Sequence, residues 1–241
     1  MTGIIVIDKP QGWTSHDVVS KLRRLFNEKR IGHSGTLDPL ATGVLPVFVG
    51  RATRAIEFVE SADKEYLAGL RLGISTDTQD ITGAVLSKCD CKVSESELKE
   101  ALSRFVGPIS QLPPMYSAVK VGGKKLYELA RKGLEVERRP RDIVIHKLEL
   151  VGREGDDFIL RIACSKGTYV RTLCSDIGDA LGCGGALSSL RRTRAGRFTD
   201  ADALTIEAVE KAAAEGRAGE LLKPVDSLFA DYPAIVLNPA Q

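Results

Sequence analysis

One glycine-rich segment of this chain holds a single carboxylate. Residues 31 to 43 read IGHSGTLDPLATG, with three glycines, one proline, and Asp38 directly before Pro39. A residue that precedes proline is held to extended backbone and cannot continue a helix. Nearby glycines let the chain turn tightly and let another backbone approach. Such a loop can fix the direction of one carboxylate, which then can act as nucleophile or base. The same composition also suits a structural turn in which Asp38 bonds its own backbone. The segment is not a phosphate loop, because it lacks both the G-x-x-x-x-G-K-[ST] pattern and the glycine spacing of a dinucleotide site. His33 and Ser34 stand five and four residues before Asp38. A hydrolase triad needs a Ser–His hydrogen bond, and neighbours on an extended stretch point opposite ways, so that chemistry is disfavoured. His33 could instead stack on a base or touch phosphate, or be a plain surface histidine.

The elements around this loop follow from spacing. Ile4 to Ile7 is a β-branched run ended by Asp8-Lys9-Pro10, which predicts a buried strand. Thr14 and Asp17 form a capping-box pattern, and Val18, Val19, Leu22, Leu25 and Phe26 recur at helical spacing. Val44 to Val49 reads as a strand, with a short helix near Ile56 to Val59. From Lys64 to Gly73 the chain alternates, placing Tyr66, Ala68, Leu70 and Leu72 on one face. Ser94 and Glu97 start another helix. Gly122-Gly123 predicts a hairpin turn, followed by a short helix stopped by Gly133. Ile143 to Val151 and Phe158 to Cys164 read as paired strands. Thr168 is placed to cap a helix running to Leu181, and Thr205 to start a last one. Strands and helices mix without a βαβ rhythm, so the fold class is α+β with a mixed, largely antiparallel sheet flanked by helices.

Bulk properties narrow the function classes. Lys and Arg total 34 against 32 Asp and Glu, a net charge of +2, which excludes a uniformly basic protein but not a local basic face. Met115 to Lys147 holds nine basic against four acidic residues, and Arg191, Arg192, Arg194 and Arg197 fall within seven positions. Either cluster could meet RNA phosphates or be a solvated surface. The five cysteines (Cys89, Cys91, Cys164, Cys174, Cys183) include no C-x-x-C, and with three histidines they match no zinc spacing. Reduced thiols in the cytoplasm are the expectation. The N-terminus lacks the pattern of a signal peptide, and no run approaches the ~20 apolar residues of a membrane span.

Long segments resemble a known family. GHSGTLDPLATGVLPV (Gly32 to Val47) is similar to the signature of the bacterial tRNA pseudouridine-55 synthases, the TruB family. IDKPQGWTSHD from Ile7, KEYLAGLRLGISTDTQDITG from Lys64, PPMYSAVKVGGKKLYELARKG from Pro113, CSKGTYVRTLCSDIG from Cys164 and LRRTRAGRF from Leu190 agree in the same order. The resemblance implies the pseudouridine-synthase fold with an RNA-binding thumb insertion. It also implies that uridine 55 in the T-arm of tRNA is flipped out and isomerised. It makes Asp38, Tyr66 and Arg171 catalytic, with Arg171 pairing Asp38 and Tyr66 packing on the base. His33, Tyr169, Leu190 and Lys9 would lie around the substrate. Lys64, Lys120, Lys124, Lys125 and Arg191 are expected at the RNA backbone. Isomerisation changes no redox state and adds no group, so neither cofactor nor metal is expected. The partner would be tRNA alone, with no protein partner and no membrane, and the protein is expected to be monomeric. Residues 1–228 would form the catalytic domain. Residues 229–241 would be a tail, the start of the RNA-binding PUA domain that typical members carry. The alternative is an RNA-binding or RNA-folding protein in which Asp38 is dispensable.

Overall fold

A computed structural model describes residues 1–230 and Pro233; the rest of the expected tail lies outside the described residues. The chain forms two compact units. One contains Met1–Pro39, Gly43–Glu60 and the described residues from Ala195 on; the other contains Leu40–Thr42 and Ser61–Arg194.

The first unit is organised by β1 (Gly3–Lys9), whose β-branched run is buried on both faces except at Asp8. Next comes α1 (Ser15–Leu25), started by the expected capping box. The Thr14 hydroxyl accepts from the Asp17 amide at 3.0 Å, and the Asp17 carboxylate accepts from the Thr14 amide at 2.8 Å. These two bonds satisfy amides that a helix start otherwise leaves open. The helix buries Val18, Val19 and Leu22. The glycine-rich segment is not loop throughout. Its first residues form β2 (Ile31–His33), antiparallel to β3 (Thr42–Val49), which in turn pairs antiparallel with β1. A short α2 (Ile56–Glu60) follows. The strand Ala203–Leu204 lies parallel on the other edge of β1. Ile4, Val6, Val44, Phe48, Val59 and Phe198 make one apolar core.

The second unit is built on β4 (Lys64–Leu72), whose alternation buries Tyr66, Ala68 and Leu70 as expected, whereas Leu72, expected on the same face, is only half-buried at the strand's end. β5 (Ile74–Thr76) and β6 (Val85–Lys88) form a hairpin. α3 (Glu95–Ser103) carries the Ser94/Glu97 capping box and leads to β7 (Gly107–Gln111). The Gly122-Gly123 turn joins β8 (Lys120–Val121) to β9 (Lys124–Lys125), and α4 (Leu126–Ala130) follows directly. β10 (Arg141–Glu154) pairs antiparallel with β7 and with β11 (Asp157–Cys164), which pairs antiparallel with β4. α5 (Val170–Ala180) and β12 (Gly185–Ala195) complete the unit, giving the strand order β12-β4-β11-β10-β7.

The start of α5 departs from expectation. Thr168 does not cap it, because its hydroxyl donates to the Ser165 carbonyl at 2.9 Å. Tyr169 is the N-cap and its side chain makes no capping bond. A distant side chain does the work: Gln111, 2% exposed at the end of β7, accepts from the Tyr169 amide at 2.8 Å and donates to its carbonyl at 3.1 Å. Further along, a Cβ on Gly178 would lie 2.1 Å from the Gly185 nitrogen. Only a hydrogen there lets the helix rest on the backbone that opens β12.

α5 also carries an electrostatic penalty near its end. Asp176 and Asp179 are three residues apart, and the last turn has no basic residue. Burial, and then the Asp179 charge, raise the Asp176 pKa from 3.8 to about 6. A helix C-terminus is itself unfavourable for anions. The raised folded pKa means the ionised form is penalised in the fold above pH 6. The penalty is relieved as pH falls from about 6 to 3.8, and it is gone once both folded and unfolded states are protonated. Asp176→Asn should therefore stabilise the protein at pH 7.5 by about 1–2 kcal/mol after solvent screening. Urea unfolding should show that advantage closing between pH 6 and pH 4.

Candidate functional site

Asp38 lies in the first unit, half-buried, between two residues whose backbone is held. On one side, the Ser15 hydroxyl accepts from the Leu37 amide at 2.9 Å and donates to the Leu37 carbonyl at 3.1 Å. Ser15 is 2% exposed and Leu37 4%, so both bonds are shielded from water. On the other side, the Gly12 amide donates to the Pro39 carbonyl at 2.8 Å. The loop that presents Gly12 is shaped by Lys9. This fully buried residue donates its ammonium to the carbonyls of Pro10 (2.8 Å) and Trp13 (2.6 Å). Gly35 and Gly43 take positive φ at +69° and +98°, a region closed to most side chains. The glycines bend the chain, and α1 with its preceding loop clamps the two residues that flank Asp38.

His33 ends β2, paired in register with Val47 and half-buried rather than exposed. The Ser34 hydroxyl is buried without a hydrogen-bond partner among the described residues. The Ser–His bond that a triad requires is therefore absent.

In the second unit Tyr66 is 9% exposed on β4. Its phenol is hydrogen-bonded to Arg192 of β12, a guanidinium only 1% exposed. Burial lowers the Arg192 pKa, and the bond to Tyr66 opposes that shift. Arg171, 6% exposed in the first turn of α5, donates to the carbonyls of Thr78 (3.0 Å) and Tyr116 (2.8 Å). Its guanidinium also lies 3.8 Å from the buried carboxylate of Asp80. Asp80 organises the tip of the β5–β6 hairpin: its Oδ1 accepts from the Thr78 hydroxyl and the Thr82 amide, each at 2.9 Å. Thr172, beside Arg171, donates to the Gln79 side chain at 2.7 Å. The hairpin tip and the start of α5 thus form one polar cluster around a buried cation. Tyr169 is half-buried under the Gln111 clamp, and the Leu190 carbonyl accepts from the Thr42 hydroxyl at 3.4 Å.

The basic residues differ among themselves. Lys120 and Lys124 are exposed on the β8–β9 hairpin, and Lys125 is half-exposed with its ammonium 5.4 Å above the Tyr127 ring. Arg191 is half-buried. Lys64 is 7% exposed and its ammonium donates to the Ala62 carbonyl, so its surroundings are those of an inner face. The four-arginine cluster is likewise no uniform basic surface, since Arg192 is buried with Tyr66 and Arg194 is bonded to Glu65 at 2.7 Å and 2.9 Å.

Sequence reasoning missed Ser15, Asp80, Gln79, Gln111 and the role of Arg192. The one local signal was the T-D-T-Q-D-I-T spacing at Thr76 to Thr82, where short polar side chains can bond neighbouring backbone. The Ser15–Leu37 bonds yield a stability test. Ser15→Ala leaves a buried amide and carbonyl unpaired, so urea unfolding should show a loss of roughly 1–3 kcal/mol.

Comparison with known proteins agrees with this architecture. The family model for the N-terminal domain of TruB family pseudouridylate synthase matches residues 23–170, and that for the tRNA pseudouridylate synthase B C-terminal domain matches residues 171–230. The chain is 51% identical over 239 residues to tRNA pseudouridine synthase B of Azoarcus sp. (strain BH72), covering 99% of this chain and 79% of that protein. The corresponding protein of Pseudomonas putida is 47% identical over 241 residues, with the same coverage. A solved Cbf5-Nop10-Gar1 complex contains a chain that is 32% identical, with TM-score 0.74, over 94% of this chain and 61% of that one. An H/ACA RNP bound to a substrate RNA containing 2'-deoxyuridine gives 29% identity and TM-score 0.72, over 94% and 60%. The α+β architecture with its largely antiparallel strands is the pseudouridine-synthase fold. The chain belongs to the TruB family of pseudouridylate synthases.

Proposed function

We propose that this enzyme isomerises uridine 55 in the T-arm loop of tRNA to pseudouridine, with Asp38 as its essential carboxylate. The observation that carries the reading is a carboxylate clamped on both flanks, in a member of this family. Relatives at about half identity are named for action on tRNA, which supports the choice of substrate. The reaction breaks the bond between N1 and C1′, turns the uracil, and joins C5 to C1′. The proton on C5 is lost and N1 gains one, so the sum is an isomerisation that needs no external oxidant or reductant.

In this proposal Arg171 is catalytic together with Asp38, its guanidinium suited to grip a carboxylate with two bonds. Tyr66 packs against the base. Tyr169 and Leu190 wall the pocket, and Lys9 and His33 stand close to the substrate, with His33 filling the space that the flipped base vacates. Flipping costs a few kcal/mol and favours a loop base over a paired one. The 112–140 segment, which contains β8, β9 and α4, acts as the thumb that grips the RNA backbone. The enzyme works as a cytoplasmic monomer without a protein partner. Among the described residues no helix is long and apolar enough to cross a membrane.

Two experiments test this reading. Incubation with an unmodified tRNA transcript, followed by chemical mapping, should show pseudouridine at position 55. With Asp38→Asn, binding should be kept while product falls at least ~10³-fold. Product formed by that variant at the wild-type rate would point to another catalytic group, and no product from the wild type would favour RNA binding without catalysis. Lys120→Ala/Lys124→Ala/Lys125→Ala should weaken tRNA binding and flatten the dependence of log K on log salt by about 2–3, since each lost phosphate contact removes close to one unit. Single-turnover chemistry at saturating enzyme should stay within a few-fold of wild type.

A further inference from the structure

Cys91 and Cys183 are 92 positions apart, yet their sulfurs lie 2.6 Å from each other, against about 2.0 Å in a disulfide bond. The backbone brings them there. Cys183 sits in the turn that ends α5: its amide and that of Gly184 both donate to the Gly178 carbonyl, at 3.1 Å and 3.0 Å. Gly182 and Gly184 take φ of +73° and +72° in that turn. On the other side, the Gly73 amide donates to the Gly184 carbonyl at 3.1 Å, and the Gly73 carbonyl accepts from the Cys89 amide at 3.0 Å. The Gly73–Gly184 bond thereby ties the root of the β5–β6 hairpin to the turn that ends α5, and the Cys89–Gly73 bond closes that root beside the cysteine pair. Cys89 is exposed and its thiol donates to the Cys183 carbonyl at 3.3 Å. Cys91 also lines a cleft of about 510 Å³ that carries Arg71, Lys88 and Arg153, which opens a route for a small reagent. The other two cysteines, Cys164 and Cys174, are buried.

We propose that Cys91 and Cys183 form a reversible disulfide, made by exchange with a low-molecular-weight disulfide, that staples the β5–β6 hairpin to α5. One protein thiolate attacks the small disulfide and expels a small thiolate. The second protein sulfur then displaces the other half. Two cysteine thiols are oxidised, the small disulfide is reduced to two small thiols, and those thiols carry off the two protons. Among the described residues no group of three or more His, Cys, Asp or Glu is placed to hold a metal ion. Burial and the adjoining Cys183 raise the Cys91 thiol to about 11, so exchange should quicken as pH rises from 7 to 9. The staple bears on the polar cluster, because Arg171 and Thr172 hold the tip of the same hairpin that the cysteines hold at its root. Oxidation should therefore stiffen the element on which Arg171 rests.

The test treats the whole protein with oxidised glutathione, quenches by acid, and maps peptides by mass spectrometry. The expected product is lighter by two hydrogens, carries a Cys91–Cys183 cross-linked peptide, and reverts with dithiothreitol. Cys89→Ser should still form it, whereas Cys91→Ser and Cys183→Ser should not. Hydrogen exchange of amides 73–91 should slow on oxidation in the wild type and in Cys89→Ser alone. A persisting glutathione adduct, a Cys89–Cys91 link, or no change in mass would overturn the proposal.

Discussion

A carboxylate can serve a reaction only if the backbone that carries it stays still, and Asp38 stands on a loop whose stillness comes from elsewhere. Proline at position 39 restricts Asp38 itself. The remaining freedom is removed by Ser15, which bonds both polar groups of Leu37, and by Gly12, which bonds Pro39. Behind these stand the capping box that starts α1 and the buried ammonium of Lys9. A fully buried cation is costly unless its donors are met. Lys9 is tolerated because carbonyls of the following turn receive it. The first unit thus spends its polar interactions on the residues next to Asp38.

The second unit solves a different problem, the placement of buried guanidinium groups. Arg171 is received by two carbonyls and by Asp80, and Arg192 by the phenol of Tyr66. Arginine suits both places because it stays charged when buried and offers five donors in a rigid fork. The hairpin tip at Thr76–Gly83 has the side chains it has because Asp80 must face both its own turn and the cation. Gln111 adds a clamp at the N-cap of α5, so Arg171 leaves a helix whose start is fixed from outside.

Much of this architecture is legible in the sequence where the signal is local. Both capping boxes are contained within four residues, the alternation of β4 buries Tyr66, Ala68 and Leu70 of the four residues it points inward, and the Gly122-Gly123 hairpin lies where two glycines permit positive φ. Thr168 misleads because a threonine before a helix has another acceptor, the Ser165 carbonyl, within reach. Ser15–Leu37, Gln111–Tyr169, Arg171–Asp80 and Cys91–Cys183 could not be read, since each joins residues distant in sequence and leaves no local spacing behind. The Asp38 motif stands between these cases. Its composition predicts a constrained loop, but the groups that constrain it emerge only in the fold.

The central claim is that the Asp38 carboxylate is required for chemistry and not for RNA recognition. Its most direct measurement is single-turnover release of tritium from tRNA labelled at C5 of its uridines, with enzyme in excess and binding confirmed in the same samples. The account predicts one equivalent released by the wild type and none above background by Asp38→Asn, at equal occupancy of RNA. Release by the variant at the wild-type rate would contradict it.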